Sequence, residues 1–246
     1  MNCYKVTVKK FRLASFLRLA GFLTLAPFLN LAGIDAGIVQ AQSQKYPPLS
    51  EYLMTPEKEI TLARSAAPES ISSRATVKIL TTTGYKVAAE GDNGFVCVVM
   101  RGFSAPTFTP ASLRTLVYDS NTRAPICFDP QAAKTALPYY ELRHKLGMEG
   151  KTPDQITALV RTAYEKGDIP KRNSASFAYM WSADQVLGPS NHWHPHMMVF
   201  IPNYDNSMLG GNELGGPLPF ISDDDGTPFA VGVIAVDDKL AIKAKP

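Results

Sequence analysis

Three of the four histidines in the chain lie at alternate positions within five residues, at His192, His194 and His196. Neutral imidazole is the commonest metal ligand in proteins and titrates near neutral pH, so this spacing suggests metal or proton chemistry. Pro195 disfavours helical angles at His194, and an extended segment would direct all three imidazoles to one face. Neighbouring members would then lie about 6.6 Å apart at Cα, and the outer pair about 13 Å apart.

That geometry predicts a site for zinc or another transition metal built on a neighbouring pair, His192 with His194 or His194 with His196. A straight strand cannot bring all three histidines to one ion, so a further ligand must come from elsewhere in the chain. The acidic residues considered for it are Glu90, Asp184, Asp205, Glu213 and Asp223 to Asp225. No His-Glu-x-x-His motif is present to identify a known class of zinc enzyme.

Two other interpretations of the cluster stay open. The histidines are structural if they hydrogen-bond to backbone and pack at the start of a strand, in a non-catalytic binding or structural protein. They are catalytic without metal if His192 or His194 is the general base of a hydrolase, with Ser190 as the nearest nucleophile. Neither Gly-x-Ser-x-Gly nor Ser-x-x-Lys occurs in the sequence, so no known nucleophile motif supports the hydrolase.

Residues 1–41 have the layout of a cleaved signal peptide. A basic start precedes the uncharged apolar stretch Leu19–Ile34, which is shorter than the roughly 20 residues of a spanning helix and contains Pro27. We therefore expect export to the periplasm or the medium, with no membrane span left after cleavage. A flexible leader (42–50) and one globular domain (51–246) are expected to follow.

Cleavage changes the charge balance of the chain. The segment 1–41 holds five of the 25 Lys and Arg residues and one of the 22 Asp and Glu residues, which leaves 20 basic and 21 acidic residues. A net charge near −1 with no basic patch excludes a nucleic-acid-binding surface of the usual kind. Two cysteines follow the signal, Cys97 and Cys127, and an oxidising compartment favours a disulfide between them, with two buried thiols as the alternative.

The remaining pattern predicts an α+β domain with a mostly antiparallel sheet of about six strands and helices packed against it. Strands are predicted at 75–82, 85–90 and 94–101, where Gly84 and the run 91–94 supply turns for a meander, and again at 177–182, 196–201 and 229–236. The run Phe95–Met100 is apolar at consecutive positions, which predicts a strand that is central in the sheet or covered by helices on its second face.

Helices are predicted to start at four Thr-Pro or Asp-Pro pairs. The first begins at Thr55-Pro56 and ends before Pro68, and the second begins at Thr109-Pro110. The third spans about 130–146 and carries His144, the fourth histidine, near its C-terminal end, as a surface or capping residue. The last begins with a capping box of Thr152 and Gln155 and ends at Gly167.

Several segments resemble those of a group of uncharacterised exported bacterial proteins. They are Ala66–Pro68, Gly94–Cys97, Arg123–Phe128, Leu137–Tyr140 and His192–His196. The resemblance extends over most of residues 50–236. It implies export and a common fold, and it implies no activity for any residue.

Overall fold

The protein is described from a computed structural model, which covers residues 47–102, 119–187 and 194–245. Within these ranges the chain forms helices and one mixed sheet. The helices are α1 (Leu49–Tyr52), α2 (Pro56–Arg64), α3 (Glu69–Ser72), α4 (Pro130–Thr135), α5 (Leu137–Met148) and α6 (Pro153–Lys166). The strands are β1 (Thr76–Thr81), β2 (Gly84–Ala89), β3 (Val96–Gly102), β4 (Asp119–Phe128), β5 (Ser176–Met180), β6 (His196–Phe200), β7 (Phe220–Asp223) and β8 (Val231–Ala235).

The strand order across the sheet is β2-β1-β3-β4-β5-β6-β8-β7, and each neighbouring pair is antiparallel except β1 with β3. The predicted α+β class with a mostly antiparallel sheet is confirmed. The predicted size of about six strands is too small, because the described part of the chain has eight. The two unpredicted strands are β4 and β7.

The predicted meander of the first three strands is wrong. β3 pairs with β1 in parallel, through Thr76 with Val96 and Val77 with Cys97, so β1 lies between β2 and β3. The loop after β2 crosses back over the start of β1, where the Asp92 N–H donates to the Arg74 carbonyl and the two side chains form an exposed 2.8 Å ion pair. This return lets β3 start at the same end as β1.

β4 was obscured by its composition, since Asp, Asn and Pro are uncommon in strands. Pro125 lies opposite Val99 of β3. Its missing N–H is tolerated because the ladder to β5 on the other edge begins only at Cys127. The residues Ile126 and Phe128 nevertheless face one side of the sheet and Cys127 the other.

Helices cover both faces of the sheet. The larger core lies under α4, α5 and α6, where Phe128 and Phe200 pack against Tyr140, Ile156 and Val160. The smaller core lies under α2, whose Leu62 and Ala63 pack with the following alanines on Cys97 and Val99. The predicted central position of the apolar run 95–100 is confirmed, because β3 has other strands on both edges and a core on each face.

The sulfur atoms of Cys97 and Cys127 lie at disulfide-bonding distance, as the sequence predicted. The two residues are directly opposite each other on β3 and β4, with their Cα atoms 4.0 Å apart. Both are buried in the core under α2.

The predicted start and end of the last helix, α6, are confirmed. Thr152 and Gln155 form both hydrogen bonds of the capping box of α6, and Gly167 ends the helix with a φ of 81°. The predicted helix over 130–146 is interrupted at Ala136, because Pro138 fits only the first turn of a new helix. The predicted helix start at Thr109-Pro110 lies outside the described residues. The end of the predicted leader, Leu49 and Ser50, is part of α1.

His144 is buried, at 1% exposure, and the prediction of a surface or capping role is wrong. Its Nδ1–H donates to the Tyr140 carbonyl at 2.8 Å, and its Nε2 accepts from the Arg101 N–H at 2.9 Å. Burial lowers the pKa of His144 to about 3. The side chain therefore links α5 to β3 in its neutral form.

Next to His144, Arg101 and Glu59 form an ion pair that has no contact with solvent. The Arg101 guanidinium lies 2.7 Å from the Glu59 carboxylate, and both side chains are 0% exposed. Arg101 also donates to the carbonyls of Tyr52 and Val99, and the second Glu59 oxygen accepts from the Leu80 N–H. These bonds connect α1 and α2 to the sheet and compensate the desolvation of both charges.

No helix in the described ranges has the length and apolar content needed to cross a membrane.

Candidate binding groove

The two described members of the histidine cluster lie in different surroundings. His194 is mostly exposed, and its Nδ1 is 2.7 Å from the Asp238 carboxylate, also mostly exposed. His196 is buried at 3% exposure, and its Nδ1 lies 2.9 Å from the His194 carbonyl. A carbonyl only accepts, so Nδ1 of His196 carries the hydrogen and Nε2 carries the lone pair. Burial lowers the pKa of His196 to about 4, which keeps the ring neutral.

The predicted metal site involves His192, which lies outside the described residues. Across 47–102, 119–187 and 194–245, no three His, Cys, Asp or Glu side chains are grouped as metal ligands. The carboxylate beside His194 belongs to Asp238, a residue that the sequence reasoning did not consider. No local pattern relates two residues 44 positions apart, so only the fold reveals this pair.

His196 instead lines an apolar groove of about 500 Å³ on the face of the sheet that also carries the larger core. Its described lining is largely aliphatic and rich in methionine. The lining residues are Met100, Ala124, Met180, Leu187, His196, Met198, Leu214, Gly215, Phe220, Ser222, Asp223 and Val233.

Strand register positions the floor of the groove. Met180 pairs with His196 between β5 and β6, and Met198 pairs with Val233 between β6 and β8. Val233 is in turn opposite Phe220 on β7. Because side chains alternate along each strand, these pairs place their side chains on one face of the sheet.

One end of the groove is polar, because a bulge in β7 turns both Ser222 and Asp223 toward it. The register with β8 shifts between Ile221 and Asp223, so Asp223 lies opposite Val231. Without a bulge the consecutive residues Ser222 and Asp223 would point to opposite faces, yet both line the groove. Burial, and secondly the charge of Asp224, raises the pKa of Asp223 to about 6, although Arg143 acts in the opposite direction.

Two buried arginines and an aromatic cluster lie next to these carboxylates. The Arg143 guanidinium carbon is 4.8 Å from the Tyr139 ring centroid and 5.1 Å from that of Tyr140. The Arg172 guanidinium carbon is 4.9 Å from the Tyr139 centroid. The Tyr139 hydroxyl donates to the Asp224 carboxylate at 2.9 Å. Asp224 is therefore held inside the protein, whereas Asp223 faces the groove.

The glycine-rich segment 210–216 contributes one wall. Leu214 and Gly215 line the groove, and Leu214 is 69% exposed. A leucine so exposed in a groove wall is available to a ligand at little desolvation cost. The sequence did not identify Asp223 as a groove residue, because the run Asp223 to Asp225 has the composition of an acidic turn.

No protein family, curated protein or solved structure was found that matches this chain. The resemblance to exported bacterial proteins therefore stays a prediction.

Proposed function

We propose that the protein is an exported, non-catalytic binding protein, and that its groove holds an elongated apolar molecule with an amine at one end. The observation that carries this proposal is the composition of the groove. Among its described lining residues, a single carboxylate, Asp223, lies in an otherwise largely aliphatic surface, and the other titratable group, His196, is held neutral.

Size and composition support a small-molecule ligand. The volume of about 500 Å³ lies within the range of roughly 300–1,000 Å³ that is usual for ligand pockets. Met100, Met180 and Met198 have flexible, polarisable side chains, which adapt to the shape of an apolar chain.

Charge complementarity selects the end group. Asp223 supplies the one negative charge on the described lining, and no described lysine or arginine lines the groove to receive an acid. With the pKa of Asp223 near 6, the carboxylate is mostly ionised at pH 7.5 and pairs with an ammonium group. The partly buried position strengthens that pair relative to one in water.

Export is proposed from the signal-like segment 1–41. The approach of Cys97 and Cys127 to bonding distance supports it, because disulfides form and persist in oxidising compartments. Mass spectrometry of the N-terminus of the protein recovered from a periplasmic extract tests it. A chain starting near residue 42 is expected, and an intact N-terminus at Met1 contradicts cleavage.

The ligand is tested by displacement of a fluorescent apolar dye with decylamine, decanol and decanoate, below their aggregation concentrations. We expect decylamine to compete best at pH 7.5. Asp223→Asn should lower the affinity for decylamine by about tenfold, the effect of losing one charge-assisted hydrogen bond, and should leave the affinity for decanol unchanged. Failure of all three compounds to displace the dye contradicts the groove, and equal competition in both proteins contradicts the amine.

Two exposed leucines of one loop provide a matched pair of variants. Leu214 lines the groove, whereas Leu218, 58% exposed, does not belong to its described lining. Leu214→Gln should lower the affinity for every probe about threefold to tenfold, because apolar contact is lost. Leu218→Gln should leave these affinities unchanged. Equal effects of the two substitutions contradict binding at this wall.

A metal site remains the second proposal, and the His194–Asp238 contact favours it. Metal-ligating histidines commonly place one ring nitrogen on a carboxylate and coordinate with the other. With Nδ1 of His194 against Asp238, Nε2 would coordinate zinc or another transition metal. Elemental analysis of the purified protein and of His194→Ala tests this. One bound equivalent that the substitution removes supports it, and absence of metal after growth with added zinc contradicts it.

A further inference from the structure

A second cavity, of about 300 Å³, lies between the end of α2, the α3 turn and the C-terminal segment. We propose that this cavity binds a small dianionic oxyanion of the phosphate monoester class. For the argument below it is called the basic cavity, and its polar lining includes Arg64, Ser72 and Lys243.

Arg64 gives the strongest indication of a ligand. Its Nε–H is buried and meets no acceptor among the described residues. A buried donor left without a partner destabilises the folded protein, and an anionic acceptor in the cavity would remove that penalty. The guanidinium also forms a planar, two-pronged donor that fits the oxygens of phosphate.

The charges that line the basic cavity are unbalanced. Lys245 is neutralised by Glu69 at 3.0 Å. Arg64 and Lys243 also line the cavity, and no described carboxylate lies within ion-pair distance of either. Two uncompensated positive charges match a dianion better than a monoanion.

The surroundings add donors and reduce repulsion. Ser72 is buried in the wall, and its hydroxyl adds a neutral donor beside the two cations. Three carbonyl groups at the end of α2, those of Thr61, Leu62 and Ala63, would repel an anion but accept hydrogen bonds locally. The Ser65 N–H and hydroxyl both bond to the Leu62 carbonyl, and the Ala66 N–H bonds to that of Ala63.

The experiment uses the purified protein with inorganic phosphate and phenyl phosphate, in chloride buffers of constant ionic strength. Isothermal titration at pH 8 and thermal unfolding measure binding and stabilisation. We expect saturable binding at one site, weaker at pH 6 where phosphate is largely a monoanion, and no response to acetate. A response to phosphate no greater than that to chloride overturns the proposal, as does an equal response to acetate.

Three variants locate the binding. Arg64→Met and Lys243→Met should each lower the affinity for phosphate by about tenfold or more, because each removes a charge-assisted contact. Lys239→Met serves as the matched control, since Lys239 is 89% exposed and is not part of the described lining. Wild-type affinity in Lys243→Met overturns the proposal even if Arg64→Met fails to fold. Decylamine displacement from the groove should be unaffected by all three variants, so this result is independent of the proposed groove ligand.

Discussion

Acid should destabilise this protein through His144, a residue remote from the chemistry that the sequence suggests. In the folded state the neutral ring donates from Nδ1 to Tyr140 and accepts at Nε2 from the Arg101 N–H. A proton on Nε2 would remove that second bond. It would also create a buried cation near the side chains of Arg101 and Arg143, both of which lower the pKa of His144 in addition to burial.

The magnitude follows from the difference between the two states. The folded pKa is about 3 and the ordinary value is 6.5, so between these values the unfolded chain binds a proton that the folded protein does not. The stabilisation is complete above pH 6.5 and is lost as the pH falls toward 3. At about 1.4 kcal/mol per unit of pKa, the loss is about 3 kcal/mol at pH 4 and about 4 kcal/mol at pH 3, where the folded protein also begins to bind the proton.

Urea unfolding between pH 7 and pH 4 measures the effect. We expect His144→Gln to be less stable at pH 7 but to lose less stability on acidification, by up to about 1.4 kcal/mol per pH unit. Leu142→Ala, a truncation of a partly buried side chain on the same helix, should be destabilised and keep the wild-type pH slope. Parallel pH profiles for the wild type and His144→Gln would refute the argument.

Three further predictions concern the described core and the groove. Reduction of the Cys97–Cys127 pair should lower the free energy of unfolding by about 3–4 kcal/mol, from the loop of 30 residues that it closes, and an unchanged urea midpoint in reductant would show that no bond forms. Glu59→Gln should cost about 3–5 kcal/mol because it leaves the buried Arg101 charge unpaired, whereas the double variant Glu59→Met, Arg101→Met should recover much of the loss in the same assay. The pKa of Asp223 is raised in the folded state, so its contribution to the free energy of unfolding is complete below pH 3.8 and is lost as the pH rises through 6. Asp223→Asn should therefore be more stable than the wild type by up to about 3 kcal/mol at pH 7.5 and by little at pH 4. Equal stabilisation at both pH values would contradict the raised pKa.

Elements with local signals were predictable from the sequence. The α6 helix carries its own start and stop, in the Thr152–Gln155 capping box and at Gly167, so no distant contact is needed to define it. The β3 strand was identified by consecutive apolar residues, which only a strand covered on both faces accommodates. The Cys97–Cys127 pair was predicted from the compartment, and the antiparallel register of β3 and β4 supplies the reason for their proximity.

Features that depend on distant residues were not predictable in this way. The parallel pairing of β1 with β3 depends on the path of a loop, and β4 becomes a strand because it has partners on both edges. Arg101 follows an apolar run and would ordinarily be a surface residue, yet it is fully buried because Glu59, 42 positions earlier, faces it. Charge pairing across the fold leaves no periodic signal in the sequence.

The polar end of the groove likewise depends on contacts between residues that are distant in sequence. Asp223 and Asp224 are adjacent in sequence, but the bulge in β7 and the left-handed backbone of Asp224, with a φ of 54°, direct them differently. Asp224 is held by Tyr139, and its charge raises the pKa of Asp223. An ammonium ligand would reverse that shift by favouring the ionised carboxylate. Amine binding at pH 6 should therefore release up to about half a proton from Asp223, because a group with a pKa of about 6 is half protonated there. By linkage the affinity should fall as the pH drops below 6. Decylamine titrations in two buffers of different ionisation enthalpy measure that proton, and a neutral apolar ligand would release none.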